Sequence, residues 1–200
     1  MSLTRSQQVI TFAVSRCHVP SGERYDSRHR RHERQPTDAD SAPAAQRTDL
    51  RRAFGCFPSG VAAVCADVGD YSTGMLVSSL TSVSMDPPLL SVCIQKGSRT
   101  WAALESADAL GISFLADGHT GLCSQFTAAG PQRLVGVDVT VTSEGAVLIP
   151  DSTAWFVCTR HESISAGDHV IVLLRIESLS VHPDRRPLVF HGSAFRRIAA

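Results

Sequence analysis

The architecture of this chain is best approached from one segment, Gly74-Met-Leu-Val-Ser-Ser-Leu-Thr-Ser-Val-Ser-Met-Asp-Pro-Pro-Leu-Leu90. It holds a run of small hydroxyl residues, namely Ser78, Ser79, Thr81, Ser82 and Ser84. A core strand would ordinarily place Val, Ile or Phe at such positions. The segment begins with a glycine, which lets a ligand approach the backbone closely, and it ends at a rigid Asp-Pro-Pro turn. These features predict a polar lining between two apolar strands, suited to a phosphate, a ribityl chain or the edge of a ring.

Composition describes a folded domain without excess charge. The chain has 200 residues, 43% of them hydrophobic, and a formal net charge of zero. Such a chain can bury a sizeable core, whereas proteins that bind nucleic acid by neutralising phosphates carry excess positive charge. No apolar run approaches the roughly 20 residues that span a bilayer. We therefore expect neither a nucleic-acid partner nor a membrane.

The cysteines indicate a reducing compartment. Six are present and none forms a C-x-x-C pair, so no structural zinc site or other metal is expected. Most lie in apolar runs and are interpreted as small buried hydrophobic residues. A cytoplasmic location fits this usage. The apolar run 9–14 is too short for a signal peptide, which agrees with that location.

Two regions differ in composition. Residues 1–46 contain a stretch rich in Arg, His, Asp, Ser, Pro and Ala with little to bury, and we expect a disordered N-terminal extension. The basic run 28–34 within it is either a binding patch or a solvated tail. Residues 47–200 are predicted to form one domain.

Hydrophobic periodicity predicts many strands and a few short helices. Helices are expected after the N-caps Thr48 and Ser98 and over 120–126. The segment 135–142 is either a strand or irregular, and clearer strands are expected at 61–66, 75–79, 89–94, 111–115, 155–164, 169–181, 187–191 and 195–198. Because the helices do not alternate with the strands, the expected fold class is mainly β, an antiparallel barrel closed to remove its edges.

Several common nucleotide and catalytic motifs are missing. The sequence has no G-x-G-x-x-G, no Walker A motif, no G-x-S-x-G elbow and no H-E-x-x-H. A nucleotide cofactor would therefore be held by an arrangement other than a Rossmann site.

Five segments, in order, resemble the flavin reductase-like family, the reductase components of two-component flavin monooxygenases. They are Phe54-Gly-Cys-Phe-Pro-Ser-Gly-Val61, the 74–90 segment, Ser98-Arg-Thr100, Gln125-Phe126 followed by Gly136-Val137, and Gly167-Asp-His169. Each alone is weak, but their joint order is specific, and the resemblance covers about three-quarters of the chain. It implies an FMN-binding split β-barrel that is homodimeric and holds FMN or FAD near the subunit interface.

The resemblance implies a set of flavin-binding residues. The ring needs backbone donors and a flat wall, and the matching positions are Ser72, Thr73, Gly74, Met75, Leu76, Ser78, Ser79, Cys93, Ile94 and Gln95. Ser78 and Ser79 are assigned to the flavin, whereas Thr81, Ser82 and Ser84 are expected to satisfy backbone groups in a bend before the Asp-Pro-Pro turn.

Two further segments complete the expected flavin site. Ser98, Arg99 and Thr100 at a helix N-terminus match the phosphate-binding positions; the alternative is an N-cap beside a surface arginine. Gln125 and Phe126 match positions that contact flavin. The family frequently has Arg at the first of these, so a charge-based contact is weakened at Gln125.

The resemblance also implies a nicotinamide pocket at Gly167, Asp168, His169 and Val170. Here His169 would hydrogen-bond the nicotinamide or its ribose, and Asp168 would orient the imidazole, so both are the candidate catalytic residues. The alternative is a plain β-turn in which Asp168 bonds its own backbone.

The expected activity is that of an NAD(P)H:flavin oxidoreductase. It would reduce FMN, or FAD, with NADH or NADPH and supply the reduced flavin to a partner flavin-dependent monooxygenase. The alternative is a non-catalytic flavin carrier or sensor on the same barrel, since a fold does not determine a function.

Overall fold

Strands predominate within residues 44–127 and 133–198, the parts of the chain that the computed structural model describes. The helices are α1 (Ala44–Gly55), α2 (Arg99–Leu104) and α3 (Thr120–Thr127), with a 3-10 helix at Asp117–His119. The strands are β1 (Ser59–Gly60), β2 (Ala62–Asp67), β3 (Ser72–Val77), β4 (Thr81–Met85), β5 (Pro88–Gln95), β6 (Leu110–Phe114), β7 (Thr140–Val141), β8 (Val147–Leu148), β9 (Ala154–Ala166), β10 (His169–Val181), β11 (Leu188–His191) and β12 (Ala194–Arg197). The expected mainly β class is confirmed.

One large antiparallel sheet forms the body of the domain. Its order is β3-β2-β6-β9-β10-β5-β4, and β1, β11 and β12 form a smaller sheet. Inward-facing residues of six of the seven strands share one apolar core, with Val64, Val92, Ile112 and Val172 at 0% exposure. Because a single core touches all of these strands, the sheet curls around it.

The barrel is not closed by hydrogen bonds, which corrects the expectation of a closed barrel. β3 and β4 follow each other in the chain, yet they are the two ends of the sheet. The residues between them, Ser78 to Leu80, leave the ladder. Ser79 bonds main-chain groups of Cys93 on β5 instead, so the sheet stays split at this point.

Gly74 owes its identity to packing. It lies opposite Cys65 on β2, and a Cβ here would collide with the Cys65 sulfur, approach the Val64 carbonyl oxygen to 2.9 Å and meet the Phe126 ring at 3.0 Å. A second apolar cluster, which includes Cys65 and Phe126, fills that side of the sheet. The structure thus gives a packing reason for this glycine, because its missing side chain makes room for the core, and close approach of a ligand to its backbone stays a prediction.

The elements agree with the sequence in most places and differ in three. The helix α1 begins at Ala44, so Thr48 lies inside it and is not its N-cap. Thr81–Met85 is a strand paired with β5, so Thr81, Ser82 and Ser84 do not lie in a bend. The two-residue strands β1 and β8 were not expected, whereas β7 lies within 135–142, which the sequence left open between a strand and irregular structure. The predicted extension 1–46 falls mostly outside the described residues, which begin at 44.

The buried cysteines are protonated thiols. Among the described residues Cys65, Cys123 and Cys158 are buried, Cys56 and Cys93 are exposed, and all five are free. Burial raises the pKa of Cys123 to about 11 and that of Cys158 to about 12. Of the helices that the structure describes, none has the length and apolarity needed to cross a membrane.

His119 ties the 3-10 helix to a neighbouring loop. The Ala116 N–H donates to its Nδ1 at 3.0 Å, and its Nε2 lies 3.0 Å from the Pro150 carbonyl oxygen. Since a carbonyl only accepts and Nδ1 is already an acceptor, the ring is neutral with its proton on Nε2. Burial is the main reason that its pKa lies below the ordinary value of 6.5.

This geometry predicts an acid-labile contact. A lowered pKa in the folded state means that protonation favours unfolding, so the stabilisation is complete above the ordinary value of 6.5 and is lost as the pH falls below it. Urea denaturation of wild type and His119→Gln at several pH values should show a smaller decline for the variant on the acid side. The exposed His161→Gln is the control, and a decline equal to that of wild type in His119→Gln would contradict the assignment.

Candidate functional site

Most of the predicted site residues lie on five elements: β3, β5, α2, α3 and the turn that leads into β10. Residues 72–76 form β3, 93–95 end β5, 98–100 open α2, and 167–170 turn into β10. Helices α2 and α3 both pack against β3. Phe126 of α3 meets Gly74 of β3, whereas α2 belongs to the main core on the other face of β3. Strand β5 adjoins β10, which follows the 167–170 turn.

The Ser79 side chain shapes the wall of this site. Its hydroxyl accepts from the Cys93 N–H at 3.0 Å and donates to the Cys93 carbonyl oxygen at 3.2 Å. One hydroxyl thereby replaces the strand partner that Cys93 lacks at this point of the ladder. The Ser79 hydroxyl is occupied by the Cys93 main chain, whereas Ser78 beside it is exposed. Ser78 is therefore the better candidate for a direct side-chain contact with a ligand.

Strand pairing brings the two predicted subsites together. In the β5–β10 ladder Cys93 lies opposite Ile171 and Gln95 lies opposite His169. Directly opposed residues of antiparallel strands project from the same face of a sheet. Cys93, Gln95 and His169 therefore share one face: Gln95 and His169 form one row, and Cys93 belongs to the next row that projects from the same face.

Asp168 and His169 form a close pair in the turn between β9 and β10. The His169 Nδ1 lies 2.7 Å from the Asp168 carboxylate oxygen, and an ionised carboxylate only accepts, so Nδ1 carries a proton. This hydrogen bond is the main reason that the pKa of Asp168 is lowered. With Nδ1 engaged and the imidazole 42% exposed, Nε2 is left for a ligand. Asp168 thus bonds the imidazole, as the orienting role requires.

The turn itself has the geometry that its sequence suggests. Gly167 has φ 59°, and Asp168 is not among the described residues of positive φ. A glycine of positive φ at the first central position is typical of a type II′ hairpin turn. The predicted hairpin and its turn are therefore confirmed.

Ser98 caps α2 and presents Arg99 at the surface. The Ser98 hydroxyl accepts from the Trp101 N–H at 3.2 Å, while Trp101 and Leu104 anchor the helix in the core. Arg99 is exposed and forms no ion pair with any residue that the structure describes. The guanidinium is therefore available to an anion beside β3.

Other predicted residues turn their side chains to the core. Thr73 is 2% exposed, Met75 packs on the main core, and Leu76 packs on the second apolar cluster. Phe126 is 2% exposed in that same cluster, and the Gln125 amide donates to the Val135 carbonyl oxygen at 2.8 Å. On β3 the main chain of the sheet edge is thus what remains for a ligand, and the flavin roles of Gln125 and Phe126 stay predictions.

Lys96 is a residue of this region that the sequence interpretation missed. Its N–H donates to the Asp168 carbonyl oxygen at 2.9 Å, and its Nζ donates to the Ser165 hydroxyl at 2.7 Å. The available signal was its position directly after a predicted strand, as the only lysine of the chain. No cluster of three or more potential metal ligands occurs among residues 44–127 and 133–198.

Replacement of Ser79 by alanine tests the wall. The change leaves both Cys93 main-chain groups without their partner, and we expect a loss of about 1–2 kcal/mol in the free energy of unfolding together with weaker flavin binding. Urea denaturation and fluorescence titration with FMN measure the two effects. Ser78→Ala is the matched control for stability, and equal stability of the two variants would contradict this role of Ser79.

A curled antiparallel sheet that is split between β3 and β4, with a polar wall at the split, defines a split-barrel protein. More narrowly, the chain belongs to the flavin reductase like domain family, whose model matches residues 54–199. The resemblance stated from the sequence is thereby confirmed.

Individual relatives agree with this membership. A probable flavin reductase of Rhizobium meliloti is 38% identical over 128 residues, which are 64% of this chain and 41% of that protein. The chain thus spans about two fifths of the length of that longer relative. A reductase subunit of a flavin-dependent monooxygenase from Rhodococcus jostii is 30% identical over 162 residues, 80% of this chain and 83% of the relative.

A solved structure is also similar. The NADH:FAD oxidoreductase of Streptomyces globisporus, in complex with NAD and FAD fragments, superimposes with a TM-score of 0.73 at 32% identity. The match covers 80% of this chain and 96% of that one. The fold of this solved structure and the names of these relatives agree with the family to which the chain belongs.

Proposed function

We propose that this protein is an NAD(P)H:flavin oxidoreductase that reduces FMN or FAD and releases the reduced flavin. The observation that carries the proposal is the pairing of β5 with β10. It places Gln95 and His169 in one row and Cys93 in the next row that projects from the same face, with Asp168 bonded to the His169 imidazole. Two planar rings bound at these rows would lie against each other.

The described residues fit a flavin. The exposed Arg99, with the Ser98 and Thr100 main chain beside it, suits the phosphate. The free edge of β3 and the wall fixed by Ser79 offer main-chain donors and acceptors for the polar edge of the ring. A flavin bound there would supply an N5 atom that accepts a hydride.

The nicotinamide is assigned to the turn that precedes β10. His169 Nε2 would hydrogen-bond the carboxamide or ribose, while Asp168 keeps the ring in one orientation through Nδ1. Hydride transfer needs no protein acid or base at the reacting carbon. The residues act by holding the two rings at about 3–3.5 Å from each other.

The Asp168–His169 pair favours a reductase over a carrier or sensor. A protein that only stores or detects flavin has no need of an oriented imidazole beside the flavin wall. Among the relatives, one is named for NADH and FAD and another for a monooxygenase. These names support a nicotinamide co-substrate and a monooxygenase that receives the reduced flavin.

We also propose a homodimer in the cytoplasm. Apolar side chains are exposed on α1 and on the edge strand β4, where Phe54 is 73% and Met85 94% exposed. Exposed apolar groups of this kind are typical of interfaces. The five free cysteines among the described residues are consistent with a reducing compartment. Light scattering should give twice the 21.4 kDa of one chain, and a monomer would contradict the dimer.

Steady-state kinetics test the activity. Oxidation of NADH and of NADPH is followed by absorbance with FMN, FAD, riboflavin or no flavin added. We expect turnover that depends on added flavin and saturates with it. Absence of turnover with every pair, from protein that binds FMN, would instead favour the carrier.

A further inference from the structure

The turn that carries Asp168 and His169 lies at the least supported end of the sheet. β9 pairs with β6 only from Ala154 to Cys158, so from Thr159 onward β10 is its one strand neighbour. Every residue from Arg160 to Ser165 is exposed. Few buried contacts and a free edge mark a segment that opens at low free-energy cost. The position of His169 therefore needs support from outside the hairpin.

Lys96 provides that support from the end of β5. Its main chain bonds the Asp168 carbonyl oxygen at 2.9 Å, and its ammonium bonds the Ser165 hydroxyl at 2.7 Å. Because β10 lies between β5 and β9, the lysine side chain crosses β10 and joins three strands. Among the described residues, the Lys96–Ser165 bond is the one hydrogen bond that joins a side chain of residues 160–166 to another element. Arg160 reaches Glu105 only at 3.9 Å.

Strand alternation separates Lys96 from the ligand-facing side. Ser165 and Ile94 are both opposed to Val170, so these three residues form one row. His169 belongs to the next row, which projects from the other face. Since the ammonium bonds Ser165, Lys96 lies behind the face that carries the imidazole. This geometry therefore argues against direct contact between the Lys96 ammonium and a nicotinamide held by His169.

We propose that Lys96 is a positioning residue for hydride transfer, which clips the β9–β10 turn to the end of the flavin-binding strand through Ser165. The proposal rests on the proposed reductase activity. Lys96 directly follows the Cys93–Gln95 wall, so the clip fixes the distance between the two ring-binding rows. Small displacements at a reacting centre reduce the rate strongly even when the substrates still bind.

A double-mutant cycle tests the clip. Lys96→Met keeps the main-chain bond and the apolar stem, and Ser165→Ala removes the acceptor. We expect each variant to lower the rate of flavin reduction about tenfold, a size typical of lost positioning, with the flavin KM unchanged. The double variant should be no slower than either single one. Lys96→Arg should retain most of the rate, and the exposed Arg196→Met is the control.

Hydrogen exchange gives a second readout that does not need turnover. Peptides that cover 160–170 should exchange faster in Lys96→Met and in Ser165→Ala, with the melting temperature almost unchanged because the bond is exposed. If Lys96→Met lowers the rate while Ser165→Ala has no effect on rate or exchange, the clip is overturned in favour of a direct charge effect. If wild type has no reductase activity but both variants exchange faster, the proposed activity and the positioning role fail together, and only the structural contact between Lys96 and Ser165 is supported.

Discussion

Gly111→Ala is expected to lower the free energy of unfolding by about 3 kcal/mol, the upper end for an overpacked core. A Cβ at Gly111 would collide with the Val147 carbonyl oxygen and lie 2.6 Å from its carbonyl carbon. The clash is with main chain, so no rotamer change relieves it. Val147 is fully buried in the second apolar cluster, and β6 is held between β2 and β9. Neither partner can move without disturbing several elements.

The matched control for this change is Gly121→Ala. Gly121 lies in α3, and a Cβ there would meet nothing within 4 Å. Alanine is the better helix former by about 1 kcal/mol, so this variant should be as stable as wild type or more so. Urea denaturation of both proteins measures the difference. A loss below about 1 kcal/mol for Gly111→Ala would show that the Val147 main chain of β8 does not lie against Gly111 of β6.

His169→Ala is expected to lower kcat/KM for NAD(P)H by about 10- to 100-fold, which corresponds to the loss of one or two hydrogen bonds in a binding site. The KM for flavin should change much less, because the residues proposed to bind flavin lie mainly on β3 and β5. The effect combines a lost contact at Nε2 with a carboxylate at Asp168 that no longer has its partner at 2.7 Å.

His161→Ala is the control for this variant. The residue lies on the same hairpin, and its exposed side chain forms no hydrogen bond or ion pair with the described residues. Its kinetics should equal those of wild type. If His169→Ala raised the KM for NAD(P)H and the KM for flavin equally, the imidazole would support the structure of the whole site. That result would contradict its proposed role in binding the nicotinamide.

Local signals in the sequence predicted the elements that bring the two subsites together. The alternation across 155–181, with a Gly-Asp turn between, produced the β9–β10 hairpin, and Ser98 capped α2 as its position suggests. Both depend on neighbours within a few residues, which is the range that periodicity and capping describe.

The rest depends on contacts between distant segments. Ser79 bonds Cys93, fourteen positions away, and Lys96 bonds Ser165 over a much longer separation. The sequence linked Gly74 only to a ligand at its backbone, and gave no sign that Cys65 and Phe126 occupy the space of a side chain there. Strand β8 has two residues and therefore no period to detect. Such features follow from the tertiary packing and leave no local pattern.

The central claim is that this protein holds nicotinamide and flavin in contact with each other, at one face of the β5–β10 ladder, for direct hydride transfer. The most direct measurement is anaerobic stopped-flow mixing of protein and FMN with NADH, or NADPH, and with the co-substrate that carries deuterium at C4. The account predicts loss of the oxidised-flavin absorbance with one nicotinamide oxidised per flavin reduced, and a slower reaction with deuterium. The claim would be contradicted if protein-bound flavin stayed oxidised after mixing with either NADH or NADPH.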